Sequence, residues 1–232
     1  MKNDLVDLFR WNTKVDIKNR DGKILTTLYI RLVGDVDYNQ AQQFGLVASR
    51  KLRKRLRDKD STDHQAIFMD IDDREKNDLV FGILISEMSN FREIAMAEIS
   101  EDIIDDKLDP DATLEERENN QELEEKRAKE KVEKLRNKMD EKSNERKAEL
   151  EKMDIEELRK VFIDSTTNYK CLEEFGLAFR EYCVFCGTYN DPKFKEKAFT
   201  DFYEFRNSSP ILKRQLIDAY LKLELTGEQL KN

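Results

Sequence analysis

The sequence predicts an α+β fold that is mostly α: an N-terminal β-hairpin with helices, a long charged exposed helix, and a small C-terminal helical bundle. Three observations predict it. Residues 13–33 alternate and then run rich in β-branched and aromatic side chains around the turn sequence Asn19-Arg20-Asp21-Gly22. Apolar residues recur at three- and four-residue steps in 37–57 and again in 78–99. Most residues of the tract Leu114–Met153 are charged or amides, whereas eight of the 13 phenylalanines fall after residue 160. The division that follows is 1–100 for an N-terminal α+β region, 101–153 for an acidic linker and charged helix, and 154–232 for the bundle.

Val15 and Ile17 occupy alternate positions of the first strand, and Gly34-Asp35-Val36-Asp37 punctuates the hairpin. Asp37 or Asn39 is placed to cap a helix running to about Arg57, with Ala41, Phe44, Ala48, Leu52 and Leu56 on the face toward the hairpin. The form of Ile67-Phe68-Met69 is left open. The second helix, about Asp78 to Ile99, carries Leu79, Phe81, Leu84, Ile85, Met88, Phe91, Ala95, Met96 and Ile99. That spread is wider than one stripe and needs contacts on two sides.

Thr113 and Glu116 have capping-box spacing, and Asp154 with Glu157 repeats it, so one helix starts after the acidic linker 101–112 and a fresh start or kink falls near Met153. Between them Ala128, Val132, Leu135 and Met139 form one heptad, but Lys142, Ser143 and Arg146 stand where a seam should continue. A coiled coil needs three or four heptads, so the expectation is a solvated rod of roughly 60 Å held by pairs such as Glu122–Lys126, Glu125–Lys129 and Glu130–Lys134. Pairing through the one heptad would make a homo-oligomer. In the bundle, Asn168, Asp191-Pro192 and Ser209-Pro210 mark helix starts. Phe194, Ala198, Phe202 and Phe205 line the second of those helices.

Charge and cysteine content limit the function. The net charge is −8, yet residues 1–60 carry +6, so general binding to nucleic-acid phosphates is disfavoured unless the basic first segment acts locally. Three cysteines, Cys171, Cys183 and Cys186, suit a reducing compartment, from which a cytoplasmic location is expected. The longest apolar run, Leu79–Ile85, is far below the ~20 residues needed to span a bilayer, and no export signal is visible.

No enzymatic signature is present, and no cofactor is implied. The chain lacks G-x-x-x-x-G-K-[ST] and G-x-G-x-x-G, and His64 is its one histidine. Cys183-Val-Phe-Cys186 with Cys171 and His64 supplies enough ligands for a Cys3His zinc site, but structural zinc usually shows two C-x-x-C pairs. The competing reading is packed core thiols, since Cys183 shares a face with Phe179. A redox role for the C-x-x-C lacks the preceding strand. Asp70, Asp72 and Asp73 resemble a calcium loop, yet Glu75 stands where the turn requires glycine, which favours a solvated acidic loop. Arg50, Lys51, Arg53, Lys54, Arg55 and Arg57 form a basic patch. It suits phosphate or an acidic protein, against a plain solvated face with Leu52 and Leu56 turned inward.

Two segments, "GKILTTLYIRLVGDVDYNQAQQFGLVASRKLRKRLRD" and "FTDFYEFRNSSPILKRQLIDAYLKLELTGEQLKN", together about a third of the chain, resemble proteins of tailed-bacteriophage tail modules, most like the tail assembly chaperones. The likeness is a short β-element leading into a helix, and a terminal helix of the "QLIDAYLKLE" type. The long charged helix departs from that family's compact form. The resemblance implies a non-enzymatic protein of the infected host's cytoplasm. Such a protein coats the tape measure protein while tail-tube protein assembles around it, and is then lost from the particle. A longer product made by translational frameshifting belongs to the same family pattern. On this reading Leu84, Met88, Phe91 and Met96 face the partner, whereas an ordinary amphipathic helix would bury the same residues in its own core. The alternatives are a structural tail or connector subunit of the virion and a nucleic-acid-binding regulator using the basic helix 50–57.

Overall fold

Asn19 sets the hairpin turn. Its Oδ1 accepts the amides of Asp21 and Lys23 at 3.0 and 2.9 Å, and Gly22 adopts a φ of 79° that a side chain would disfavour. Strands β1 (Asn12–Lys18) and β2 (Ile24–Arg31) therefore pair antiparallel, with Val15 opposite Leu28. The structure is a computed structural model that describes residues 12–100 and 114–229. Among the described residues it holds three strands and seven α-helices, in keeping with the mostly α, α+β fold expected. The third strand, β3 (Thr188–Tyr189), was not anticipated. It pairs antiparallel with β2, Tyr29 opposite Tyr189 and Ile30 opposite Thr188.

The chain divides into two compact units, Met1–Lys54 with Cys171–Asn232 and Arg55–Lys170. Each is assembled from its own contacts, and they do not follow the three consecutive blocks read from the sequence.

In the first unit Ile17, Leu28 and Ile30 of the sheet share a core with Ala41, Cys183, Val184, Phe199, Phe205, Leu216, Tyr220 and Leu223. Ala41 comes from α1 (Asp35–Arg57), which opens on the Gly34 carbonyl, slightly ahead of the expected Asp37 or Asn39. Leu216, Tyr220 and Leu223 come from the last helix, α7 (Pro210–Gln229), which starts where Ser209-Pro210 placed it. The Gln215 amide of α7 bonds both the N–H and the carbonyl of Lys18 at 3.0 and 2.9 Å, so the two ends of the described chain are joined. Phe44 meets Tyr182 and Phe202 with centroids 5.3 and 4.7 Å apart, so the aromatic core expected after residue 160 also takes in a residue of α1.

Two expected helix starts are not used. Helix α5 (Ile155–Gly187) runs unbroken through Asn168, because apolar spacing continues on both sides of it. Asp191-Pro192 opens a loop instead of a helix: the Asp191 carboxylate accepts the amides of Lys193, Lys195 and Glu196 at 2.7–2.9 Å. Those amides hold the carboxyl below its ordinary range, the Glu196 bond contributing most. Only the short α6 (Phe202–Asn207) follows, capped by Asp201. Phe194 is accordingly a loop residue at φ 53°.

In the second unit Ser61 caps α2 (Thr62–Phe68), which settles the form of Ile67 and Phe68 as helical. Helix α3 (Lys76–Ser100) runs antiparallel to α4 (Leu114–Leu150): Lys138 and Lys142 reach Glu98, Arg146 reaches Glu87, and Lys76 Nζ bonds the carbonyls of Glu151 and Met153. Lys76 thereby satisfies carbonyls at the C-terminal end of α4. The Asp154–Glu157 capping box starts α5 as predicted, with both reciprocal bonds made. Gly82 allows α5 close, since a β-carbon there would meet the Phe162 ring at 2.5 Å.

The solvated rod is therefore half right. Residues 126–134 are all exposed, Val132 at 66%. From Leu135 onward α4 lies on α3, and Lys142 and Arg146 continue the seam through ion pairs where apolar residues were sought, with Ser143 half-buried. The capping box at Thr113, the linker 101–112 and the Glu122 and Glu125 side chains lie outside the described residues.

Candidate functional site

Helix α3 has apolar residues in excess of what its own unit covers. Leu79, Val80, Ile83, Phe91, Ala95 and Ile99 are buried. Phe81 (66% exposed), Ile85, Met88 and Met96 (each close to half exposed) follow at steps of four, three and eight, which places them along one face. This outward stripe is the largest apolar feature of α3 left in solvent.

The four residues expected to meet a partner do not share that stripe. Met88 and Met96 lie on it. Leu84 is half-buried and Phe91 buried, and both fall in the neighbouring row Val80, Leu84, Glu87, Phe91, Ala95, Glu98, whose two carboxylates pair with α4. Phe91 is thus a core residue. Phe81 and Ile85 are exposed residues of the stripe that the expectation left out, although the sequence carried the signal: the apolar spread of this helix exceeded one face, and steps of four and three from Phe81 lead to Met88.

Arg50, Lys51, Lys54 and Arg57 of the basic patch are exposed and Arg53 is half-buried. Arg55 is bound to Asp63, and its carbonyl accepts the Ser61 hydroxyl, so the acidic segment neutralises part of the patch. Leu56 is buried and Leu52 half-buried, the inward pair expected of a solvated face.

All three cysteines are buried free thiols. Burial pushes Cys183 up to about 12 and Cys186 up to about 11. A thiol so far from its thiolate is a poor nucleophile. His64 is held elsewhere, its Nδ1 2.7 Å from the Leu56 carbonyl. Among the described residues no group of three or more His, Cys, Asp or Glu side chains is placed to hold a metal ion. Asp70 pairs with Arg74 at 3.0 Å, and that guanidinium keeps its carboxyl below the ordinary range.

One open groove of about 470 Å³ lies in the first unit, lined by Asn39, Gln40, Gln43, Phe44, Val47 and Tyr182. Tyr182 donates to Gln40 at 3.2 Å, and burial raises its pKa, so the groove offers neutral carboxamides over an aromatic floor. Among the described residues no helix is long and apolar enough to cross a membrane. Comparison with protein-family models, with curated proteins and with solved structures finds no match to this chain.

Proposed function

We propose that this chain is a non-catalytic protein-binding factor that holds a helical segment of its partner along the outward stripe of α3. The observation that carries the reading is the exposure of Phe81, Ile85, Met88 and Met96 on one helix face. Amphipathic helices are recognised through anchors at i, i+4 and i+7, the spacing of the first three. Methionine adapts its shape to irregular apolar surfaces, which suits a protein that must accept many similar helices. The specific form follows from the tail-module resemblance: a tail assembly chaperone in the host cytoplasm, shielding the tape measure protein while tail-tube protein assembles. The acidic balance of −8 favours solubility of such a complex.

Co-expression with the tape measure protein of the same phage genome tests this. The native chain should keep that protein soluble, and Phe81→Asp with Met88→Asp should abolish the effect while leaving the helical circular-dichroism signal intact. Equal solubility with the double variant would sink the proposal. Abundant copies in purified virions would instead favour a structural tail subunit.

A further inference from the structure

We infer that the C-terminal half of α4 is an exchangeable strap, occupying within the chain a face of α3 that fits an amphipathic helix with basic flanks. This concerns the face of α3 that α4 covers and stands independently of the outward stripe. The row Val80, Leu84, Glu87, Phe91, Ala95, Glu98 sets an apolar strip between two carboxylates eleven residues apart, about three helical turns. Opposite it α4 presents Leu135, Lys138, Met139, Lys142, Ser143, Arg146 and Leu150, of which only Leu150 is fully buried. On the α4 side cations alternate with Leu135, Met139 and Leu150, so ion pairs share the hold with the apolar area that Phe91 and Ala95 bury.

The hold is graded along the helix. At the Glu98 end, Lys138 and Lys142 stand 3.6 and 3.3 Å from the carboxylate, and Lys138 and Glu98 are about two-fifths exposed. Such pairs contribute little and are screened by salt, the Debye length falling from about 10 Å at 0.1 M to about 3 Å at 1 M. At the other end Arg146 makes a bidentate pair with Glu87 at 2.9 and 3.1 Å, Leu150 is buried, and Lys76 bonds the carbonyls of Glu151 and Met153. The strap therefore lifts from the Glu98 end and pivots near Leu150. A competing helix takes its place when it offers apolar side chains between basic ones, because Glu87 and Glu98 then keep their partners.

Hydrogen exchange of the full chain reads the opening directly. Raising sodium chloride from about 0.1 M to about 1 M should speed exchange of amides 135–142 and 91–99 roughly three- to tenfold. Amides 79–83 and 147–150 should hold their rates. Lys138→Glu with Lys142→Glu should reproduce the effect at low salt, and the milder Glu98→Gln serves if that variant misfolds. A fluorescent peptide of residues 126–152 is the competitor. It should bind the weakened variant about tenfold more tightly than the native chain, and lose that binding when Glu87 and Glu98 are both changed to lysine. Exchange that ignores salt, or equal peptide binding by native and weakened chains, would overturn the inference.

Discussion

A β-carbon on Gly187 would stand 2.5 Å from the carbonyl oxygen of Arg31. The obstruction is backbone, so no side-chain rotation relieves it. Gly187 ends α5 and leads directly into β3, while Arg31 ends β2 and donates to the Tyr189 hydroxyl at 2.8 Å. Gly187→Ala should destabilise the first unit by roughly 1–3 kcal/mol through overpacking. Urea unfolding followed by the signal of that unit measures it, and an unchanged midpoint would refute the close approach.

Leu150 is the pivot of α4 and is fully buried. Leu150→Ala should cost about 2–5 kcal/mol, the range for emptying a core leucine site. Val132→Ala, exposed on the same helix, should fall within about 0.5 kcal/mol of the native chain. Thermal denaturation of the pair separates a packed end from a solvated one.

Cys183 and Cys186 are pushed up from an ordinary value near 9 to about 12 and about 11 by burial. Their folded forms keep protons that the unfolded chain gives up, so unfolding releases protons above pH 9. Stability should thus hold below pH 9 and fall progressively toward pH 12, with Tyr220, also raised by burial, adding to the loss. In the native chain an aromatic disulfide reagent at pH 8 should label these thiols only at the rate of unfolding. Rapid labelling under native conditions would show that they are accessible.

Asp191 tests the acid side. Three loop amides depress its pKa below 3.8, so its stabilisation is complete above that value and is lost as the pH falls through the lower folded value. Asp191→Ala should lower the melting temperature at neutral pH. The gap to the native chain should close as the pH drops below 3.8, and a gap constant with pH would contradict the loop geometry.

Local chemistry made much of this fold legible. Asn19 and Gly22 announce the hairpin, Asp154 with Glu157 announces α5, and three- to four-residue apolar steps announce α1 and α3. What stayed hidden depends on partners distant in sequence or on polar groups used in an unexpected way. Thr188 and Tyr189 become a strand only because β2 offers them an edge. Asp191 has the chemistry of a helix cap, yet it satisfies loop amides with the same carboxylate. Lys142 and Arg146 read as the end of a seam because apolar periodicity does not register ion pairs. For the candidate site, the helix and its excess of apolar residues were visible, whereas choosing Met88 over Phe91 required knowing which side α4 covers.

Tyr29 pairs with Tyr189, 160 positions later in the chain. Synthesis at ~5–20 residues per second leaves the hairpin waiting roughly 8–32 s for its third strand, and longer for α7. During that interval Ile17, Leu28 and Ile30 have emerged from the ribosome without most of the side chains that finally enclose them, Cys183 to Leu223. Residues 55–170, a continuous segment, are complete before that wait ends. The nascent hairpin, with its unfilled edge, is the stage at which this protein most needs protection from aggregation.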